Sequence, residues 1–270
     1  MTLDVDPAVS HWRPWPGHNR RGLWTLYRKE VHRFVKVGTQ TVLAPLVTTL
    51  MFLAIFTLAL GGGARTVGDL PYVEFLAPGL IVMAMAQNAF ANSSSSLVIA
   101  KVQGTVVDLL MPPLSPGVLT AGFALAGMTR GLVVGLAVGV AMAFFVHLPV
   151  ADPLALVFHG AMGSLMLSLT GVLAGLWSEK FDHIAAVTNF VVTPLAFLSG
   201  TFYSVERLPA DWAFIAHLNP LFYMIDGFRS AIIGHADGDR RVGAVVVAVV
   251  VVALWALCHR LFKVGYKLKA

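Results

Sequence analysis

Thr193-Pro194-Leu195-Ala196-Phe197-Leu198-Ser199-Gly200-Thr201, followed by Asn219-Pro220-Leu221-Phe222-Tyr223 and then Arg229, is the stretch whose reading decides the fold. A charge-free apolar run that ends in a Ser-Gly break describes a membrane span leaving the hydrocarbon. The residues beyond it, Ser204 to Arg241, are too apolar to lie free in water and too interrupted to cross a bilayer. They predict a folded, non-spanning hairpin. Its rings, Phe202, Tyr203, Trp212, Phe214, Phe222 and Tyr223, suit the membrane interface, where amphipathic aromatics settle.

Composition carries the same message to the whole chain. With 57% hydrophobic and only 12% charged residues over 270 positions, and a mean hydropathy of +0.77, an ordinary soluble domain is excluded. No Asp, Glu, Lys or Arg occurs between Lys36 and Arg65, Glu74 and Lys101, Asp152 and Glu179, Asp182 and Glu206, or Arg241 and Arg260. A sixth gap, Asp108 to Asp152, is broken only by Arg130. Each gap is long enough for the roughly 20 helical residues that cross a hydrocarbon core. The runs are continuously apolar, whereas barrel strands alternate, so the expectation is an all-α membrane protein with six transmembrane helices. The spans are placed at about 37–60, 75–98, 117–147, 154–177, 184–203 and 242–262. Residues 1–36 form an arm and an amphipathic interfacial helix, and 37–270 the six-span domain. Trp24, Tyr27, Val31, Phe34 and Val35 are expected on one face of that helix, with Arg21, Arg28, Lys29 and Arg33 elsewhere.

Lysine and arginine placement sets the orientation. Seven of them, from Arg13 to Lys36, precede the first span, and Arg260, Lys263, Lys267 and Lys269 follow or end the last. Both termini are therefore expected in the cytoplasm, and the net charge of +5 reflects topology and contact with anionic lipid rather than nucleic acid. The one cysteine, Cys258, falls inside a span as a packing residue.

Two segments carry the candidate chemistry. In the inner loop, Gly104-Thr105-Val106-Val107-Asp108-Leu109-Leu110 precedes Pro112-Pro113-Leu114-Ser115-Pro116. A short helix with Val106, Leu109 and Leu110 on one side, stopped by prolines, makes a rigid knob suited to force transfer. In the hairpin, Leu208-Pro209 and Pro220-Leu221 stand with Tyr223 and Arg229 at fixed offsets, and Asp226 lies one helical turn from Arg229, close enough to pair with it or to serve a substrate. Arg130 is the clear intramembrane charge and reads either as a path residue or as a side chain that snorkels or pairs between subunits. The polar end of span two, Gln87, Asn88, Asn92 and Ser93 to Ser96, lines a cavity or a helix contact. Pro45 and Pro194 mark kinks.

Together the coupling-type loop and the hairpin resemble the type 2 permeases of ATP-binding-cassette exporters. In that family the inner loop pairs a Gly-Thr with a Leu-Leu and a Pro-Leu-Ser, and the hairpin forms short external helices that re-enter the outer leaflet. Thr201 stands where the family carries a smaller residue. The resemblance covers nearly the whole chain. It implies a cytoplasmic coupling helix, an external re-entrant hairpin between spans five and six, a second permease copy in a homodimer, and two cytoplasmic ATPase subunits. Those subunits would use ATP and Mg, and dock on Gly104, Thr105, Val106, Asp108, Leu109 and Leu110. The implied location is a bacterial cytoplasmic membrane, and the implied cargo an amphipathic or lipid-like compound. Phe52, Phe56, Phe190 and Phe197 are candidate path residues beside Arg130.

This chain has no Gly-x-x-x-x-Gly-Lys-Ser/Thr phosphate loop, no Gly-x-Ser-x-Gly elbow and no His-Glu-x-x-His pair, so neither an ATPase nor an enzyme of those classes is expected, nor a metal site or bound cofactor. The remaining alternatives are a membrane scaffold of the same architecture and an ion-coupled carrier. The carrier reading suffers from the absence of Asp and Glu within the spans.

Overall fold

A computed structural model describes residues 18–59, 66–67 and 70–268. The expected N-terminal arm up to residue 17 and the Gly61-Gly62-Gly63 break lie outside the described residues. Apart from connecting turns and loops, the described chain is helical except for a small ribbon in which β1 (Thr66–Val67) pairs antiparallel with β2 (Leu70–Pro71). The helices are α1 (His18–Lys36), α2 (Gly38–Ala59), α3 (Tyr72–Val102), α4 (Val106–Leu110), α5 (Pro116–Ala143), α6 (Pro153–Trp177), α7 (Phe181–Val187), α8 (Thr193–Leu198), α9 (Ala210–Leu218), α10 (Pro220–Ile233) and α11 (Arg240–Val264).

Among the described residues, six helical segments are long and apolar enough to cross a membrane: α2, α3, α5, α6, the composite Phe181–Leu198, and α11. An even number returns the chain to the side on which it began, so α1, α4 and the C-terminal turn share one end of the bundle, here called proximal. The ribbon and α9 mark the distal end. The second span is longer than expected, Tyr72–Val102, the third stops at Ala143 rather than 147, and the fifth is shifted. It starts at Phe181 and stops at Leu198 rather than Tyr203, because Ser199 leaves the helical region and Gly200 takes φ +74. It is also not one α-helix. A π turn, Thr188–Val192, precedes Pro194, whose missing N–H has already interrupted the ladder.

α3 is the axis. Its most apolar stretch is 78% buried, against 56% for α6 and 44% for α5, while α2 and the fifth span are 11% buried. Close approach of the central three helices comes from glycine. Gly127, Gly131, Gly135 and Gly139 recur every four residues along one face of α5. A Cβ on Gly127 would meet Ser168 Oγ at 2.2 Å and Ser93 Oγ at 2.4 Å; one on Gly171 of α6 would meet the Phe90 carbonyl oxygen at 2.4 Å. Small residues let backbones touch where lipid supplies no hydrophobic driving force, and hydroxyls then bond across the seam. Ser93 and Ser168 do so at 2.7 Å, and Ser168 also donates to the Ala124 carbonyl at 2.8 Å. Of the span-two serines, Ser93 is thus a helix contact, and Ser95 accepts from Arg33 of α1 at 3.3 Å.

α1 packs along the proximal part of α5. Leu26 fills the space over Gly122, and Tyr27 bonds Thr129 across 2.9 Å. Its buried face is Leu26, Glu30 and Phe34, with Arg33 turned inward, whereas Trp24 and Val35 are exposed. This departs from the expected face because α1 leans on protein. A salt-bridged Glu30–Arg33 pair, 3.2 Å apart, can enter a protein seam that offers Asn92 and Ser95 as partners.

Candidate functional sites

The proximal end is built around α4. Gly104, with φ +70, turns the chain out of α3, and the helix it leads into has two faces. Val106 and Leu109 are buried, while Val107, Leu110 and Met111 are exposed beside exposed Asp108. Leu110 therefore leaves the face expected for it, because the five-residue helix seats only its i and i+3 positions. The prolines after it end the knob, and Ser115 begins α5, its side chain accepting from Val118 N at 3.3 Å.

Behind α4 sits an unexpected strap. Lys101, at the end of α3, donates through Nζ to the carbonyls of Gly175 at 2.9 Å and Ser178 at 3.0 Å, and to Leu176. The last carbonyls of a helix lack intrahelical partners and carry partial negative charge, so an ammonium there closes α6. Lys267 adds a second tie, donating to Trp177 O at 3.1 Å and to the Glu179 carboxylate at 2.8 Å. That bond holds the exposed Glu179 carboxyl below its ordinary range and the Lys267 ammonium above its own. A cavity of about 390 Å³ opens between these groups and α4, lined by Lys101, Gly104, Val106, Val107, Glu179, Lys267 and Leu268.

The distal end is tied by the stretch from Thr193 to Arg229. Asn219 caps α10, accepting from Leu221 N at 3.0 Å while its Nδ2 donates to Leu195 O at 2.7 Å. The Thr201 hydroxyl donates to Ala196 O at 2.7 Å, which explains a hydroxyl-bearing residue at that position. α10 does not lie on the surface. It lies inside the bundle antiparallel to α6: Met224 fills the space over Gly163, ten residues past the start of α6 and so about 15 Å deep, and the far end reaches the start of α6, where Ala231 O accepts from Asp152 N at 2.8 Å.

Arg229 is 1% exposed and heads the fully buried side chains by size. Its guanidinium donates to Gly200 O at 2.6 Å and lies 3.8 Å from the Phe75 ring centre. The expected Asp226–Arg229 pair does not form. Asp226 instead accepts from the amides of Asp237 at 2.7 Å and Gly238 at 3.1 Å, organising the loop into α11. Burial raises the Asp226 carboxyl above its usual range, against the pull of those amides and of the Arg229 charge. Neighbours one turn apart on a helix lose here to orphan backbone groups that have no other partner. Leu208 and Pro209, by contrast, are not drawn into this network; they stand at the start of α9, Leu208 half-buried and Pro209 exposed.

Asp237 continues the tie, accepting from Ser204 Oγ at 3.0 Å and Val205 N at 2.8 Å. With Glu206 and His235 it forms a group whose ligand-type atoms lie within 4.8 Å of one another. Both Asp237 oxygens already serve protein donors, so the group holds together as a hydrogen-bonded corner.

Toward the distal end, three of the four aromatic path candidates meet. Phe56 stacks on Phe202 at 5.0 Å, Phe197 at 5.2 Å, and Phe52 lies 6.3 Å from the same ring. Phe190 is set apart and 81% exposed. Seven residues make two α turns and should align it with Phe197, but the π turn between them breaks that register. Phe202 was expected only at the interface and proves to be the centre of the cluster. Arg130 Nη2 donates to Asn88 Oδ1 at 3.1 Å.

The sequence pattern of the ABC-2 type transporter family matches residues 21–233, from α1 to the end of α10. The chain belongs to this family. It is a membrane-spanning permease subunit, not an enzyme, and as an ABC-2 permease it partners with separate ATP-binding-cassette ATPases. It is 36% identical over 248 residues to the inner membrane transport permease YadH of Escherichia coli K12, covering 92% of this chain and 97% of that protein. It is 27% identical over 217 residues to nodulation protein J of Neorhizobium galegae, covering 79% of this chain and 82% of the relative. Nodulation protein J of Rhizobium meliloti is 24% identical over 227 residues, covering 82% and 84%. For this ABC-2 permease the matched region includes both the α4 knob and the α10 insertion.

Proposed function

We propose that this permease moves an amphipathic or lipid-like substrate outward across a bacterial cytoplasmic membrane. The cargo class includes a drug-like compound, a glycolipid or a lipid-linked polysaccharide. Two cytoplasmic ATPase subunits, which use the ATP and Mg, dock on α4 as a coupling helix. The observation that carries this reading is the exposed apolar face of Val107, Leu110 and Met111 beside Asp108, on a short rigid helix at the end of the bundle. Exposed apolar surface on a polar, projecting loop marks a protein contact. The Lys101 strap gives that contact a lever, since a push on α4 reaches the end of α6 through Gly175, Leu176 and Ser178.

The proximal end is the cytoplasmic one in this reading, because Arg and Lys cluster there on α1 and after α11. The α10 insertion is then the external re-entrant hairpin. The name of the YadH relative supports the inner membrane as the location. A homodimer is supported by α2 and the fifth span, both 11% buried, and by an apolar groove of about 630 Å³ between α2 and the end of α5 that includes Leu53, Val73, Phe145 and Val146. Phe52, Phe56, Phe197 and Phe202 then form the aromatic wall past which the substrate moves.

The test is purification of the tagged chain from its native membrane with assay of ATP hydrolysis, beside Asp108→Arg. A co-purifying ATPase that is lost from the variant supports the reading. A chain that emerges without any ATPase, under conditions that keep other membrane complexes intact, rejects it in favour of a scaffold.

A further inference from the structure

We infer that the seam between α1, α3 and α5 binds the acidic headgroup of a lipid, whose chain lies in the cleft between α2 and α3. Two donors in this seam lack acceptors. Arg130 spends one nitrogen on the neutral Asn88, and its Nε is buried with no acceptor. Asn92, one turn along α3 and 1% exposed, gives its Oδ1 to Arg33 at 3.1 Å, and its Nδ2 is also buried with no acceptor. Two orphaned groups in one seam are therefore both donors.

Charge points the same way. Among the described residues no carboxylate pairs with Arg130, and the Glu30 carboxylate is committed to Arg33. The other guanidinium of the seam, that of Arg33 on Asn92, has the same sign. A guanidinium in a membrane protein is costly without a counter-ion, and an oxyanion supplies both the charge and the acceptors. Phosphate suits the planar donor set of arginine in particular.

The cleft beside the seam supplies the other half of the ligand. It holds about 250 Å³ and is graded along its length. Thr49, Gln87 and Asn88 make its polar part, next to Arg130, and Phe52, Leu80 and Met83 its apolar part. A head at Arg130 and a chain running distally match a lipid of the proximal leaflet. Basic pockets between spans on the cytoplasmic side are suited to anionic headgroups. The inference uses the orientation proposed above only to name that leaflet as the inner one.

The test uses the full chain, stripped of lipid in detergent and titrated with phosphatidylglycerol or phosphatidylcholine, read by native mass spectrometry and by thermal midpoint. The expected result is about tenfold preference for phosphatidylglycerol, equivalent to one charge-assisted contact, lost in Arg130→Gln and reduced but still measurable in Arg130→Lys, which keeps the charge without the planar fork. Asn92→Asp places a carboxylate inside the seam. It is expected to fold at least as stably as the parent and to lose the lipid preference, which separates binding from folding. Equal binding of both lipids by the parent, or an unchanged preference in Arg130→Gln and Asn92→Asp, overturns the inference. The lipid carried from the native membrane then identifies the source: a bulk phospholipid means a resident lipid, and an anionic lipid outside the bulk classes means a transported one. No ATP is used, so failure of ATPase docking leaves this result untouched.

Discussion

Arg229→Ala is expected to destabilise the permease by about 3–5 kcal/mol and to remove most folded protein from the membrane. Three losses coincide. The Gly200 carbonyl loses its 2.6 Å donor in a buried turn, the Phe75 ring loses the cation 3.8 Å from its centre, and a cavity opens where a fully buried side chain had been. Asp226 and Asp237, whose charges act favourably on the guanidinium, also lose that compensation. Arg229→Lys keeps the charge but not the planar fork that can stack on a ring while donating to a carbonyl, so it should fall between. Thermal unfolding followed by size-exclusion fluorescence checks this, and an unchanged midpoint in Arg229→Ala would show that the distal turn is held by something else.

Gly171→Leu is expected to cost about 3 kcal/mol, near the upper end for overpacking, because the obstruction is backbone. Its Cβ would meet the Phe90 carbonyl oxygen at 2.4 Å and Phe90 Cα at 3.1 Å, so α3 and α6 must part along the seam. Gly139→Ala is the contrast. There the nearest atom to a new Cβ is Ile81 Cδ1 at 3.8 Å, ordinary contact, and the midpoint should hold. If Gly171→Leu melts like its parent, the close packing of the central helices is not what organises the bundle.

The six spans were legible because charged residues cluster at their ends and continuous apolar runs leave only helices as a solution. The glycines of α5 were legible too, at spacing four, but their signal is one of packing partners and is lost when a run is read for hydropathy alone. Other features lay beyond local reading. The pairing of Asp226 with Arg229 is the natural expectation at that spacing, and only the fold brings Gly200 and the Asp237 amide within reach. Lys101 reads as one more basic loop residue until the end of α6 is placed beside it. Pro194 signalled a disturbance in the fifth span without showing that a π turn would carry Phe190 out of line with Phe197. In the candidate docking loop a short helix stands where the sequence placed one, but Leu110 lies off the expected face, its exposure depending on how few turns the helix has.

On the reading proposed above a cytoplasmic ATPase grips the permease at α4, and site-directed cross-linking in native membranes tests this most directly. Val107 is 57% exposed on α4 and Trp212 is 57% exposed on α9 at the opposite end, while the natural Cys258 is fully buried and adds no background. A cysteine-reactive photo-cross-linker on Val107→Cys should yield an adduct of permease and ATPase, and on Trp212→Cys none. An ATPase adduct from Trp212→Cys, or its absence from Val107→Cys in a membrane that holds the assembled complex, would contradict both the orientation and the docking site.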